Sequence, residues 1–313
     1  MVNVIGNRAM NYTIVPDIHA DLDRLEWSIA QAGNSKIIFL GDLVDAGKMV
    51  KNPSDAGVLE RVSNLISNNE ASCILGNHEM NAILFHRRSS KTKLPLRSHT
   101  NQRNWAQHGS FISEFGVEST EALEWTSWML AKLPLWLEFE GLRIAHACWS
   151  EKAINIVKKR RPTGHLKVED LEEIALKKTE FSQAVEIITS GPEAKLPLNY
   201  SFNDIGGHPR QSMRLSWWNS QNTTWKKAAL SVPNLDQLPD EELPCELKNE
   251  IYNPNAIPVL VGHYKMSGQP KLQSRNASSL DYPASKCVYH WSGEAKLISK
   301  NLTIEKIVAI QES

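Results

Sequence analysis

The stretch IIFLGDLVDAGK, residues 37–48, decides how the rest of the chain is read. A run of large apolar residues stops at Gly41 and then presents two acids, Asp42 and Asp45, three positions apart. A short apolar run bounded by glycine suits a strand buried on both faces. Acids just past such a strand lie at its carboxyl end, where open α/β sheets place their sites.

The same design occurs on both sides. YTIVPDIHAD (12–21) and SCILGNHEM (72–80) are β-rich runs that also end in polar, metal-friendly residues. Between the three runs, Leu22, Leu25, Ile29 and Ala32, and then Val58, Leu59, Val62, Leu65 and Ile66, recur at helical spacing. The resulting β-α-β-α-β order predicts adjacent parallel strands joined by right-handed crossovers. A helical zone over 102–132, broken at Gly116, precedes two short strands, PLWLEFEG and LRIAHACW, and strand character returns at AIPVLVGHY and KCVYHW.

Polar residues follow five of these apolar runs: Asp17 and His19, Asp42 and Asp45, Asn77 and His78, His146, and His263. One histidine at a strand end is ordinarily structural, but five ends of one fold carrying Asp, His or Asn point to metal. Mixed oxygen and imidazole donors suit borderline divalent ions such as Mn, Fe or Zn rather than a thiolate-held zinc. There are more donors than one ion uses, so two ions sharing a carboxylate, Asp42, is the reading that follows.

Bulk composition narrows the class. The chain has 313 residues with 41% hydrophobic content, enough for a well-buried core. Lys plus Arg equals Asp plus Glu at 35 each, so no overall field favours nucleic acid or an anionic membrane, and neither is expected as a partner. The basic run Lys158–Arg161 reads as a solvated helix end. Four scattered cysteines (Cys73, Cys148, Cys245, Cys287) suit free thiols in a reducing compartment. The opening MVNVIGNRAMNYTIV lacks the form of a secretory signal, and a cytoplasmic location is expected.

These motifs, in this order, resemble the calcineurin-like metallophosphoesterases. PDIHA stands where that family has D-x-H, GDLVDAG where it has G-D-x-x-D, and GNHE matches outright; AHAC and VGHY fit its two late histidine motifs. The form and size look closest to the bacterial phosphoprotein phosphatase-like branch, which includes diadenosine tetraphosphatases. The resemblance implies a four-layer α-β-β-α sandwich of two mixed sheets, with a dinuclear site at the strand ends. It implies one domain over 1–313, with insertions near 82–101 and 151–255 expected to form a cap.

Carried over residue by residue, Asp17 and His19 hold the first ion, Asp42 bridges, and Asn77, His146 and His263 hold the second. Manganese is the ion expected to serve in vitro. His78 protonates the leaving group, supported by Asp45, while a hydroxide activated by the metals attacks phosphorus. The implied activity is hydrolysis of phosphomonoesters, as by a Ser/Thr-type protein phosphatase homologue. A nucleotide or dinucleoside polyphosphate hydrolase is the alternative, and a non-catalytic scaffold the third. Substrates are accordingly a phosphorylated small molecule, a nucleotide or a phosphoprotein.

The chain departs from the pattern at one telling place. Phosphoprotein phosphatases typically read D-R-G where this chain has Asp45-Ala46-Gly47. A transferring phosphoryl group still needs a cation from the protein, and Arg97 and Arg214 are the candidates for binding it, with Lys48, His99 and Arg210 behind them. Trp217 and Trp218 are expected to fasten the second insertion onto the core, or else to stack on a base.

Overall fold

The computed structural model describes residues 11–306. The stretch 1–10, read above as carrying no secretory signal, lies outside the described residues.

Five strands form one mixed sheet in the order β14-β13-β1-β2-β3, and four form a second in the order β12-β11-β5-β4. The first contains β1 (Tyr12–Val15), β2 (Lys36–Phe39), β3 (Ala71–Cys73), β13 (Cys287–Trp291) and β14 (Leu302–Ile304). The second contains β4 (Trp136–Phe139), β5 (Leu142–Ala145), β11 (Val259–Val261) and β12 (Ala277–Ser279). β1, β2 and β3 are parallel neighbours, as are β5, β11 and β12, while β13 and β4 run antiparallel to theirs.

Side-chain parity explains why these strands read as unbroken apolar runs. Tyr12, Ile14, Ile38, Leu40, Ile144 and Leu260 share one buried cluster between the sheets. Their alternates Val15, Ile37, Phe39, Val259 and Val261 pack instead into a larger cluster with helical residues. A strand covered on both faces has no solvent side on which to alternate.

Helices α1 (Leu22–Ala32) and α2 (Asp55–Ser67) connect β1 to β2 and β2 to β3, each capped by a side chain, Asp21 and Ser54. Helix α3 (Asn77–Phe85) leaves directly from β3. The zone read as helical divides into α4 (Gln102–Gln107), α5 (Gly109–Phe115) and α6 (Thr120–Lys132), with Gly116 at φ 78 making the break. Beyond β5 come α7 (Glu151–Arg160), α8 (Leu171–Leu176) and α9 (Glu180–Ser190). No described helix is long and apolar enough to cross a membrane. All four cysteines are unpaired.

Residues 193–230 add pairings that strand patterns did not reveal. β6 (Glu193–Lys195), β9 (Ser212–Leu215) and β10 (Ala229–Leu230) make a three-stranded sheet, and β7 (Phe202–Asn203) pairs with β8 (Pro209–Arg210). This small sheet has its own core around Met213, Leu215 and Trp225. The two arginines of the basic run at the end of α7 are held by acids, Arg160 by Glu173 and Arg161 by Asp170 and Glu169, while Lys158 and Lys159 are exposed.

Trp217 and Trp218 are both buried, so neither offers a free face for a base. Trp217 donates its Nε1–H, at 3.0 Å to each, to the Ala147 carbonyl and the Tyr264 hydroxyl. It thereby fastens the segment after β9 to the loops that follow β5 and β11.

Asp55 opens α2 fully buried, accepting the Asp45 N–H on Oδ1 at 2.8 Å while Oδ2 has no partner. Burial pushes its carboxyl up to about 7. A carboxyl whose folded value exceeds its unfolded one contributes stability that is full below about pH 4 and is lost as pH rises through about 7. Asp55→Asn is therefore expected to flatten the fall in unfolding free energy between those pH values, measured by urea denaturation across pH; an unchanged slope would assign the fall to other groups.

Candidate metal centre

Each of the sequence-predicted donors sits just beyond the carboxyl end of its strand. Asp17 and His19 follow β1, Asp42 and Asp45 follow β2, Asn77 and His78 open α3, His146 follows β5, and His263 follows β11. Asp17, Asp42, Asp45, His146 and His263 are buried, and His19, Asn77 and His78 are partly so.

The turns that present them are strained. His19, Asp42, Asp45 and His263 have φ of 52, 49, 66 and 65, left-handed backbone that non-glycine residues adopt at a cost of roughly 1–3 kcal/mol each. Bonds between the turns hold them there. The Asp42 carbonyl accepts from the N–H groups of Ile18 and His19 at 3.0 and 2.8 Å, and the Leu43 carbonyl accepts from Ala20.

The neighbouring glycines are a matter of space. A Cβ on Gly76 would lie 2.2 Å from Asp42 Oδ1, and one on Gly262 would lie 1.9 Å from Asp17 Oδ1. The loops can approach the carboxylates this closely only without side chains.

Donor atoms crowd one another around Asp42. His146 Nε2 lies 3.3 Å from Asp42 Oδ1, and the Nε2 atoms of His78 and His19 lie 3.8 and 4.0 Å from Asp42 Oδ2. Asn77 Oδ1 is 3.0 Å from His146 Nε2 and 2.7 Å from His263 Nδ1. Two donors each about 2.1 Å from a shared ion stand roughly 3–3.5 Å apart. The Nε2 atoms of His19 and His263 are buried without any hydrogen-bond partner, as an unfilled ligand would be. His19, Asp42 and His78 form one group able to hold a metal ion, and Asp42, His146 and His263 a second, sharing Asp42. The residues fit two divalent ions.

Electrostatics point the same way. Burial opposes ionisation of Asp42, but His146, His78 and His19 outweigh it and hold its carboxylate well below the usual range. Burial and the Asp281 carboxylate push Asp17 well above that range. Burial and His78 bring His19 down to about 4, and burial, His146 and Arg214 hold His263 well below its usual range. Both are thus kept as neutral imidazoles, the form that ligates.

His78 is oriented differently. A carboxylate can only accept, so His78 donates Nδ1–H to Asp45 Oδ2 at 2.9 Å, leaving Nε2 toward Asp42. Burial works against its charge, but Asp42 and Asp45 outweigh burial and raise it to about 9. A cation on Asp42 would cancel the Asp42 share and leave Asp45 as the partner that keeps this proton.

The two candidate arginines differ in their surroundings. Arg97 is committed, donating to Asn81 Oδ1 at 2.9 Å and to Gln107 Oε1 at 2.6 Å. The Arg214 side chain, on a strand paired through its backbone, has no hydrogen bond or ion pair among the described residues, and its charge acts on His263. It lines a cavity of about 840 Å³ with Glu193, Phe202, Gln211 and Ser212. His99 is bonded to the Phe85 carbonyl and Arg210 to Asp204, while Lys48 lines a separate cavity of about 410 Å³ beside Asp17 and His19.

Three residues escaped the sequence reading. Glu79, the last residue of GNHE, accepts the N–H groups of Asp42 and Gly76 on Oε2 at 2.8 and 2.9 Å and those of Leu43 and Val44 on Oε1. It holds the Asp42 turn from below, and its place within a matched motif was the available signal. His108 bonds Asp45 from the junction of α4 and α5, and Asp281 is buried near Asp17 with Oδ2 unpartnered. Neither lies at the end of a recognisable apolar run.

Solved structures to which this chain is similar include a provisionally assigned diadenosine tetraphosphatase (14% identity, 96% of each chain, TM-score 0.42). Another is a serine/threonine phosphatase from Saccharomyces cerevisiae with similarity to human PP5 (12% identity, 98% of this chain and 82% of that one, TM-score 0.45). A metallophosphoesterase from Sphaerobacter thermophilus aligns at 22% identity over 49% of this chain and 56% of its own (TM-score 0.30). No curated protein matches the sequence. The sequence profile of the calcineurin-like phosphoesterases matches residues 10–191, more than half of the chain. The protein belongs to the calcineurin-like phosphoesterase family and is a metal-dependent phosphoric ester hydrolase.

Proposed function

We propose that this chain hydrolyses phosphate monoesters by direct attack of water at a centre of two divalent ions. The observation that carries the reading is the sharing of Asp42 between two ligand-capable groups, with the buried Nε2 atoms of His19 and His263 left without partners. Asp17 and His19 would hold one ion, Asn77, His146 and His263 the other, and Asp42 both. Manganese is the ion to supply in vitro, with iron and zinc as the other borderline candidates. When bound, the two ions supply an activated water and positive charge for the phosphate oxygens.

The remaining chemistry belongs to the chain's own side chains. His78, its ring fixed by Asp45 through Nδ1, carries a proton on Nε2 and gives it to the departing oxygen. Arg214 supplies the charge that Ala46 does not. Its guanidinium fork is free to hold two phosphate oxygens, whereas that of Arg97 is occupied by Asn81 and Gln107. The chain acts as one domain, and its 151–255 insertion carries Arg214 to the centre as part of a cap. Burial of Trp217 and Trp218 removes the stacking surface that would have favoured a nucleotide, so phosphorylated side chains or small phosphomonoesters are the substrate class. Unpaired cysteines fit a reducing cytoplasm.

Three variants test these assignments. Asp42→Asn should lose at least one tightly held ion by elemental analysis together with most of the turnover, and two retained ions with normal turnover would reject the bridging role. His78→Asn should keep its metal while kcat for an alkyl phosphate drops by about 10²–10⁴-fold; 4-nitrophenyl phosphate, which needs little protonation, should suffer far less. Arg214→Ala should raise KM and weaken inhibition by inorganic phosphate, with Arg214→Lys recovering part of the loss. Normal phosphate inhibition in Arg214→Ala would move the role to another cation.

A further inference from the structure

We infer that His108 is a positioning residue for the leaving-group acid: it locks the Asp45 carboxylate that in turn holds His78. The inference rests on the role given to His78 above. It follows from the way hydrogen bonds converge on one buried carboxylate.

His108 is fully buried where α4 gives way to α5. Its Nδ1 lies 2.9 Å from Asp45 Oδ2 and 3.1 Å from Asp45 Oδ1. Since a carboxylate has no proton to give, His108 is the donor and its Nδ1 carries the hydrogen. Asp45 Oδ2 thus accepts from two imidazoles, His78 and His108, each at 2.9 Å. With one donor, the carboxylate could swing about its side-chain bonds. A second donor from a different element removes that freedom and also satisfies Oδ1, an oxygen that would otherwise be buried without a partner.

The rest of the surroundings assigns His108 to Asp45 alone. Its Nε2 is buried and unpartnered, so the ring has no other hydrogen-bonding task. Its backbone is fixed by the helices, the N–H to Asn104 and the carbonyl to Ile112, and the ring packs on Phe85 at 5.0 Å between centroids. Adjacent Gln107 cannot take over the holding of His78. Its Oε1 is taken by Arg97, and its amide nitrogen, 3.3 Å from His78 Nδ1, meets an N–H with another N–H. Among the described residues, Asp45 is therefore the acceptor for His78 Nδ1, and the aim of Asp45 sets the aim of the acid.

A filler of the core and a holder of Asp45 are separated by paired substitutions in the metal-loaded enzyme. His108→Phe keeps a ring but removes the donor; His108→Asn places an amide N–H near the old Nδ1. We expect His108→Phe to lower kcat on an alkyl phosphate by about 10–100-fold, the usual effect of losing an outer support. Metal content and KM should hold, and the loss on 4-nitrophenyl phosphate should be under about threefold. His108→Asn should restore much of the alkyl phosphate turnover. Equal losses on both substrates, or His108→Asn no better than His108→Phe, would overturn the assignment. His78→Asn in the same assays separates the two readings. If it shows no leaving-group dependence the acid role itself fails, whereas if it does and His108→Phe does not, only the positioning role fails. Should His108→Phe not fold, imidazole NMR of the zinc-loaded wild type decides. Two ring N–H protons bonded to a carboxylate, both lost in Asp45→Asn, support the inference, and a single one refutes it.

Discussion

The turn at Asp42 is the constraint on which the site depends. Its backbone is left-handed, its carbonyl accepts from Ile18 and His19, and its N–H is held by Glu79. Its carboxylate accepts the His78 N–H at 2.9 Å and faces His146. One residue thereby joins the loops after β1, β2, β3 and β5. Such a conformation persists only where its surroundings over-determine it, and here three strand ends and the first turn of α3 do so. Any shift of this turn would move donors on four loops together.

Burying so many ionisable groups is costly unless cations join them. Asp17, Asp42 and Glu79 are buried within one network, and two imidazoles are held neutral beside them. A buried carboxylate without a counter-charge is destabilising, whereas a divalent ion converts the same cluster into a ligand set. Affinity for metal and stability of this region are therefore linked. The strain in the loops belongs to the same account, since left-handed turns aim donors that relaxed strands would point elsewhere.

Elements outside the two sheets complete the chemistry. The α4–α5 junction gives Asp45 its second partner, and β9 carries Arg214, whose guanidinium has no partner among the described residues. Trp217 sets the position of the residues after β9 by bonding the loops next to His146 and His263.

The sequence by itself determined β1, β2, β3, β4, β5, β11 and β13, the parallel order of the first three, and the polar residues that follow five of them. Continuous apolar runs ending in Gly-Asp, Gly-Asn-His or Gly-His are local signals, because strand burial and loop approach act within a few residues. The helices Leu22–Ala32 and Asp55–Ser67 were legible for the same reason, through their periodicity. Only the tertiary structure decided which arginine is free, since Arg97 and Arg214 look alike in sequence and differ in who accepts their hydrogen bonds. It also decided that Trp217 and Trp218 are buried, and that His108 and Glu79 reach the two acids of GDLVD from 63 and 37 residues away. Hydrogen bonds across such separations leave no periodicity behind; they exist only once packing has brought their partners within about 3 Å.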